Sequence, residues 1–258
     1  MTRAPSLPEA LRRLPVAHRA LHDRADGRPE NSRAAFRAAI AAGYAIECDL
    51  QLSADGEAMV FHDYALTRLT GQTGAVRQRR AEDLAAIPLL NGDGEGIPRL
   101  TEMLDLVAGR VPLLIELKDQ DGGMGADVGA LEAVTARALA GYPGPVAVMS
   151  FNPHSVAAMA RLAPDLPRGL VTSAYDPGDW PLSADTCARL RDIPDFDRVG
   201  AGFVSHEAAD LARPRVQALR GAGVPVLCWT IRSPQAEAEA RQRADNITFE
   251  GYAAAIPA

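Results

Sequence analysis

The feature that most constrains this chain is a regular alternation. Short apolar runs at 14–17, 46–50, 111–117, 146–151, 169–172, 199–204, 224–231 and 247–249 are separated by longer amphipathic, alanine-rich stretches. Apolar runs of this length suit strands buried on both faces, and such strands are joined in parallel by helices that cover the sheet. Helix signals sit where this scheme needs them. The stretch 31–43 begins at Asn31, a side chain able to cap the first turn, carries Phe36 and Ile40 on one face and stops at Gly43. Asn152 and Pro153 open a second helix at 152–161, and a third at 214–223 runs from Pro214 to Gly221 and Gly223. Eight runs in 258 residues fit an α/β fold, a (β/α)8 TIM barrel. A doubly wound sheet wants a glycine-rich turn after its first strand, and His18-Arg19-Ala20 stands there instead.

One region breaks the rhythm. After the run at 46–50 the chain reads QLSADGEAMVFHD and continues in mixed character to Leu100. Asp55-Gly56 is a two-residue hairpin signal, and if those two residues form the loop, Asp49 lies opposite His62. We therefore expect one barrel domain over 1–258 with an inserted segment, about 51–98, after the second barrel strand.

Composition excludes several functions. The net charge is −6, so no basic face is on offer for nucleic acid. No apolar run approaches the ~20 residues of a membrane span. Residues 1–17 hold Pro5, Glu9, Arg12 and Arg13 and lack the apolar centre of a signal peptide. Cys48, Cys187 and Cys228 are odd in number and far apart, which argues against a disulfide framework or a zinc site and for a reducing, cytoplasmic setting. Of the 27 basic residues, Lys118 is the sole lysine. Arg77, Arg79 and Arg80, with the helices after Gln120, are the surface on which we would expect a homodimer, if one forms.

Glu47 and Asp49 are two apart on one strand and share a face; Glu116 closes another apolar strand. Carboxylates on apolar strands are costly unless solvated, paired or bound to a cation. Parallel barrel strands all end on one rim, so the three converge there as an oxygen-rich site for Mg²⁺ or Ca²⁺. His18 closes the first strand and the hairpin brings His62 beside Asp49, which gives two imidazoles able to take and return a proton. Arg19 offers a bidentate fork for phosphate oxygens. Lys118, two residues beyond Glu116, supplies a compact charge for the same phosphate. His22, His154 and His206 read as surface or structural histidines, and His22-Asp23 as an imitation of His62-Asp63 in a polar loop.

These residues belong to an ordered series: His18-Arg19-Ala20, Pro29-Glu30-Asn31-Ser32, Ile46-Glu47-Cys48-Asp49, Asp55-Gly56, Phe61-His62-Asp63, Leu66-Thr67-Arg68, Ile97-Pro98-Arg99-Leu100 and Ile115-Glu116-Leu117-Lys118. The series resembles the glycerophosphodiester phosphodiesterases, with weaker agreement at Ser150-Phe151 and Trp229-Thr230. The resemblance implies hydrolysis of a small-molecule glycerophosphodiester to glycerol 3-phosphate and an alcohol. It implies His18 and His62 as the acid/base pair, Arg19 on the phosphate, and Glu47, Asp49 and Glu116 as ligands of one divalent metal. Glu30 would orient Arg19 or the substrate, or cap the helix. Trp229 would pack against the glycerol or head group, or serve the core. Attack by water and attack by the glycerol hydroxyl through a cyclic phosphate both remain open.

Two positions depart from the family pattern. Ala20 replaces a glycine, which matters if that position needs φ > 0. The last strand reads Ile247-Thr248-Phe249-Glu250 where the family has a Thr-Asp pair, so either Glu250 substitutes at a distance or the position is lost. Two other functions share the scaffold: a sphingomyelinase-D-like lyase acting on a choline lipid, and a barrel that binds a phosphate compound without turnover. The first needs a secretion signal and a hydrophobic lip, which the sequence does not display. The second would be expected to have lost a ligand or a histidine, and all five are present.

Overall fold

The computed structural model describes residues 5–257; part of the N-terminal stretch considered above lies outside them. Nine strands form the sheet: β1 (Val16–Ala17), β2 (Ala45–Leu52), β3 (Ala58–Val60), β4 (Leu113–Leu117), β5 (Val146–Ser150), β6 (Arg168–Thr172), β7 (Phe203–Glu207), β8 (Val226–Ile231) and β9 (Asn246–Phe249). Eight pair in parallel, and β1 pairs with both β9 and β2, which closes the barrel. β3 is the exception: it runs antiparallel to β2, outside the ring.

The barrel interior is a packed plug. Val16, Ala45, Leu114, Ala147, Phe203 and Leu227 fill it, and Leu7 and Leu11 close the end from the helix Glu9–Arg13. Phe203 fits because Gly169 faces it from β6; a Cβ there would lie 2.5 Å from the ring. The plug occupies the N-terminal end of the strands and leaves the C-terminal rim free for polar side chains. A larger cluster packs the helices against the outer strand faces, with Phe36 and Ala39 of the helix Arg33–Ala42 over Ile46 and Cys48 of β2.

Seven of the eight expected barrel strands fall where the apolar runs placed them. The run at 199–204 does not. Residues 195–202 turn back on themselves, with Val199 N donating to Asp195 O and Gly200 in the left-handed region, and the strand begins only at Phe203. Ser205, His206 and Glu207 disguised it, because polar residues at the rim end of a strand do not register as a strand pattern.

The inserted segment carries its own core of Met59, Phe61, Leu66, Leu69, Val76, Leu84, Ile97 and neighbours. Its hairpin differs by one residue from expectation. Ser53 N donates to Glu57 O, and Leu50 opposes Val60, so the loop has three residues, Ala54-Asp55-Gly56, with Gly56 at φ 83°. A three-residue loop ending in a left-handed glycine is the next commonest hairpin. Asp49 therefore opposes Phe61, whose N–H donates to Asp49 O at 2.9 Å. His62 lies beyond the end of β3, where strand alternation no longer sets its direction, and it still reaches the rim. Arg77 and Arg79 donate to the Gln120 and Thr73 carbonyls and Arg80 pairs with Asp55, so all three are engaged within their own chain.

Candidate active site

His18, Arg19, Glu47, His62, Glu116, Lys118 and Trp229 line one cavity of about 180 Å³ at the C-terminal rim. Asp49 and Glu30 stand just behind it, each holding a residue that lines it. The register of β2 against β4 makes Asp49 and Glu116 direct neighbours. One ligand oxygen from each of Glu47, Asp49 and Glu116 lies within 4.8 Å of the others, and all three carboxylates are buried. Burial, then the adjacent Asp49 and Glu116 charges, push the Glu47 carboxyl well above the usual range. Burial also raises Glu116, with Lys118 pulling the other way. Burial opposes ionisation of Asp49 as well, but Lys118, His62 and Arg19 outweigh it and hold that carboxyl well below its ordinary value. An all-oxygen set with this excess of negative charge fits a hard divalent cation.

Lys118 is tied into the same cluster. Its Nζ lies 2.8 Å from Asp49 Oδ1 and 2.7 Å from Glu116 Oε1. Burial disfavours the ammonium, yet the two carboxylates hold its pKa above the ordinary lysine value. The lone lysine is therefore first a partner of the acidic cluster, where the sequence suggested a phosphate contact.

Arg19 reaches the rim through a left-handed backbone step: Arg19 and Ala20 have φ 53° and 63°. Ala20 thus occupies a position that favours glycine, at a cost of roughly 1 kcal/mol. The step lets Arg19 N donate to Glu47 Oε2 at 2.8 Å and Ala20 N to Glu47 O at 2.9 Å. The guanidinium Nη1 donates to Glu30 Oε1 at 2.7 Å, and its Nε sits 3.9 Å from Asp49. Glu30 therefore orients Arg19. It does not cap the helix; Ser32 does, accepting from Ala35 N.

Each imidazole leans on a carboxylate. His18 Nδ1 lies 2.5 Å from Glu250 Oε2, and His62 Nδ1 lies 2.7 Å from Asp63 Oδ1. Arg68 bridges Asp63 to Glu30 with four hydrogen bonds of 2.7–2.8 Å. Burial lowers the His18 pKa despite the hydrogen bond to Glu250. Opposite the polar wall, Trp229 meets Phe151 edge to face at 5.6 Å, and Trp180 and Tyr175 extend the aromatic surface. Trp229 is half-buried, with its Nε1 donating to Ser205 O. His206, by contrast, is fully buried on β7 between Thr172 and Asp210, a structural histidine.

Sequence reasoning missed four contributors. Asn31 reads as a helix cap, but its backbone is left-handed and its amide donates to Asp49 Oδ2 at 2.9 Å. Asp63 and Arg68 stand inside recognisable motifs that do not announce their partners. His22 lies 3.6 Å from Glu250, so it is no surface imitation.

Fold and rim together define the class: a (β/α)8 barrel whose C-terminal rim carries an acidic centre and two carboxylate-backed histidines. Residues 18–249 match the model of the glycerophosphoryl diester phosphodiesterase family, and the chain belongs to that family. A glycerophosphodiester phosphodiesterase of Bacillus subtilis (strain 168) is 26% identical over 204 residues, 73% of this chain and 67% of its own. One from Caldanaerobacter subterraneus subsp. tengcongensis is 29% identical over 170 residues, 62% of this chain and 67% of its own. Among solved structures, an Oleispira antarctica phosphodiesterase in complex with the product sn-glycerol-3-phosphate superposes with a TM-score of 0.74 at 24% identity, covering 92% of this chain and 93% of that one.

Proposed function

We propose that this enzyme hydrolyses soluble glycerophosphodiesters to glycerol 3-phosphate and an alcohol, with a divalent cation held by Glu47, Asp49 and Glu116. The observation that carries the reading is the buried carboxylate triad, its ligand atoms within 4.8 Å of one another, beside two histidines in one cavity. Mg²⁺ or Ca²⁺ held by these three carboxylates would supply Lewis-acid stabilisation of the charge on the phosphate.

The side chains do the rest. Arg19, aimed by Glu30, offers its guanidinium to the phosphate. Lys118 balances two of the carboxylates and adds positive charge where the phosphate binds. One imidazole accepts the proton of the nucleophile and the other returns a proton to the leaving alcohol. The pair serves attack by water or by the glycerol hydroxyl equally. Each Nδ1 faces a carboxylate, which leaves each Nε2 free to exchange that proton. Trp229 and Phe151 form the apolar wall for the carbon skeleton.

The exposed surface supports a soluble substrate, and the cysteines support a reducing, cytoplasmic setting. Among the described residues the exposed large apolar side chains are Tyr64, Leu90, Leu162 and Ile256, too scattered for a membrane-seeking lip. No helix among them is long and apolar enough to cross a membrane. Cys48, Cys187 and Cys228 are buried free thiols. The test is incubation with glycerophosphocholine, with glycerophosphoethanolamine and with vesicles of an intact choline lipid, each with Mg²⁺ or Ca²⁺. Glycerol 3-phosphate from the soluble diesters is expected; turnover of the vesicles alone would favour the lipid-lyase reading.

A further inference from the structure

Glu250 sits just past the end of the last barrel strand. The preceding Phe249 turns its ring outward, against Tyr44 at 4.8 Å and Tyr252 at 5.4 Å. Backbone bonds hold Glu250 at the seam of the barrel: Glu250 N donates to Ile231 O, and His18 N donates to Phe249 O. β8, β9 and β1 therefore meet around this one residue. Its side chain, one methylene longer than aspartate, spans three partners. Oε2 faces His18 Nδ1 at 2.5 Å and His22 Nε2 at 3.6 Å, while Oε1 accepts from Arg232 Nε at 2.8 Å. The His18, Glu250 and His22 side chains are only 14%, 19% and 21% exposed, so water competes little for these contacts.

We propose that Glu250 is the positioning residue of His18, and that His22 and Arg232 hold Glu250 in place for that task. The inference rests on His18 being one half of the acid/base pair. An ionised carboxylate only accepts hydrogen bonds, so His18 Nδ1 carries the proton and Nε2 faces the reaction with its lone pair or its acidic proton. Without Glu250 the ring can adopt either tautomer and can rotate. A purely structural contact closing the seam would show in stability and leave kcat unchanged. That difference makes the two roles separable.

Glu250→Gln is the sharpest variant. Arg232 can only donate, so it keeps the amide oxygen, and the amide NH₂ turns toward His18 Nδ1. That nitrogen must then accept, and the proton moves to Nε2, the wrong tautomer. The expected result is a loss in kcat on glycerophosphocholine of about 10²-fold or more, the scale of one acid/base group, with KM within about threefold and thermal midpoint close to wild type. Glu250→Asp keeps the acceptor and should recover part of the rate. His22→Ala removes the imidazole packed 3.6 Å from Glu250 Oε2 and should lower kcat a few-fold. Long-range ¹H–¹⁵N NMR correlations of the His18 ring report the tautomer directly: Nδ1–H in the resting wild type, Nε2–H in Glu250→Gln. A wild-type His18 ring protonated at Nε2, or full kcat in Glu250→Gln, would overturn the proposal. The ring measurement on the resting wild type also covers the case in which a variant does not fold. It needs no substrate, so a failure there is distinct from a wild type that releases no glycerol 3-phosphate, which would instead sink the proposed activity.

Discussion

The two histidines at the rim are held alike by unlike parts of the chain. His62 leans on Asp63, its neighbour in sequence, and Asp63 is gripped by Arg68 five residues on. That arginine also holds Glu30, which holds Arg19, so one network joins an imidazole of the inserted segment to the arginine proposed to bind the phosphate. His18 instead leans on Glu250, 232 residues away, across the seam where the barrel closes. Its backing arginine, Arg232, is 66% exposed where Arg68 is 44% exposed and makes four bonds. The first support is local and shared with Arg19. The second exists only once the barrel has closed, and it serves His18 alone.

The comparison predicts a ranking. Asp63→Asn should match Glu250→Gln in kind, lowering kcat about 10²-fold, and the two combined should lose less than the sum if both histidines act in one step. Comparable turnover by Asp63→Asn and wild type would break the symmetry. Next in size, Arg68→Ala frees Asp63 and Glu30 together, so kcat should fall and KM rise, each about tenfold, against about twofold for Arg232→Ala; steady-state kinetics on the pair decides.

Arg68 also sets a pH dependence. Burial would raise Asp63 and Glu30, but the bonds from His62 and Arg68, and from Arg68 and Arg19, outweigh it and hold both carboxyls below their ordinary values. A depressed carboxyl contributes stability that is complete above its unfolded value, near 4, and that fades as pH falls toward the folded value. Urea unfolding between pH 5 and pH 3 should therefore show wild type losing stability more steeply than Arg68→Ala. Parallel curves would show that the network does not lower these carboxyls.

A more modest effect than that of Arg68→Ala concerns Lys118. Its Nζ touches two carboxylates at once, a compact contact that a planar guanidinium cannot copy. Lys118→Arg should reduce kcat several-fold and weaken Mg²⁺ affinity measured by calorimetry. Unchanged values for both would leave the lone lysine a coincidence of composition.

Much of this was legible in the chain because it lies in local pattern. Seven apolar runs marked seven strands, and strand alternation put Glu47 with Asp49 and placed Glu116 on the same rim. What escaped had no local signal. The strand Phe203–Glu207 hid behind polar rim residues, and the hairpin slipped by one because loop length depends on a left-handed Gly56. Asn31 looked like a cap because its left-handed backbone cannot be read from its type. Glu250 could be flagged as a departure, but its reach to His18 depends on where β9 ends against β1, a fact of barrel closure.

The most direct test of the whole account is metal removal with glycerol 3-phosphate as the readout. Chelated wild-type protein should release none from glycerophosphocholine, and added Mg²⁺ or Ca²⁺ should restore release. His18→Ala and Glu116→Gln should stay folded and inactive under every metal. Full turnover in chelator, or near-normal rates in either variant, would contradict the assignment of the carboxylate triad and its two histidines.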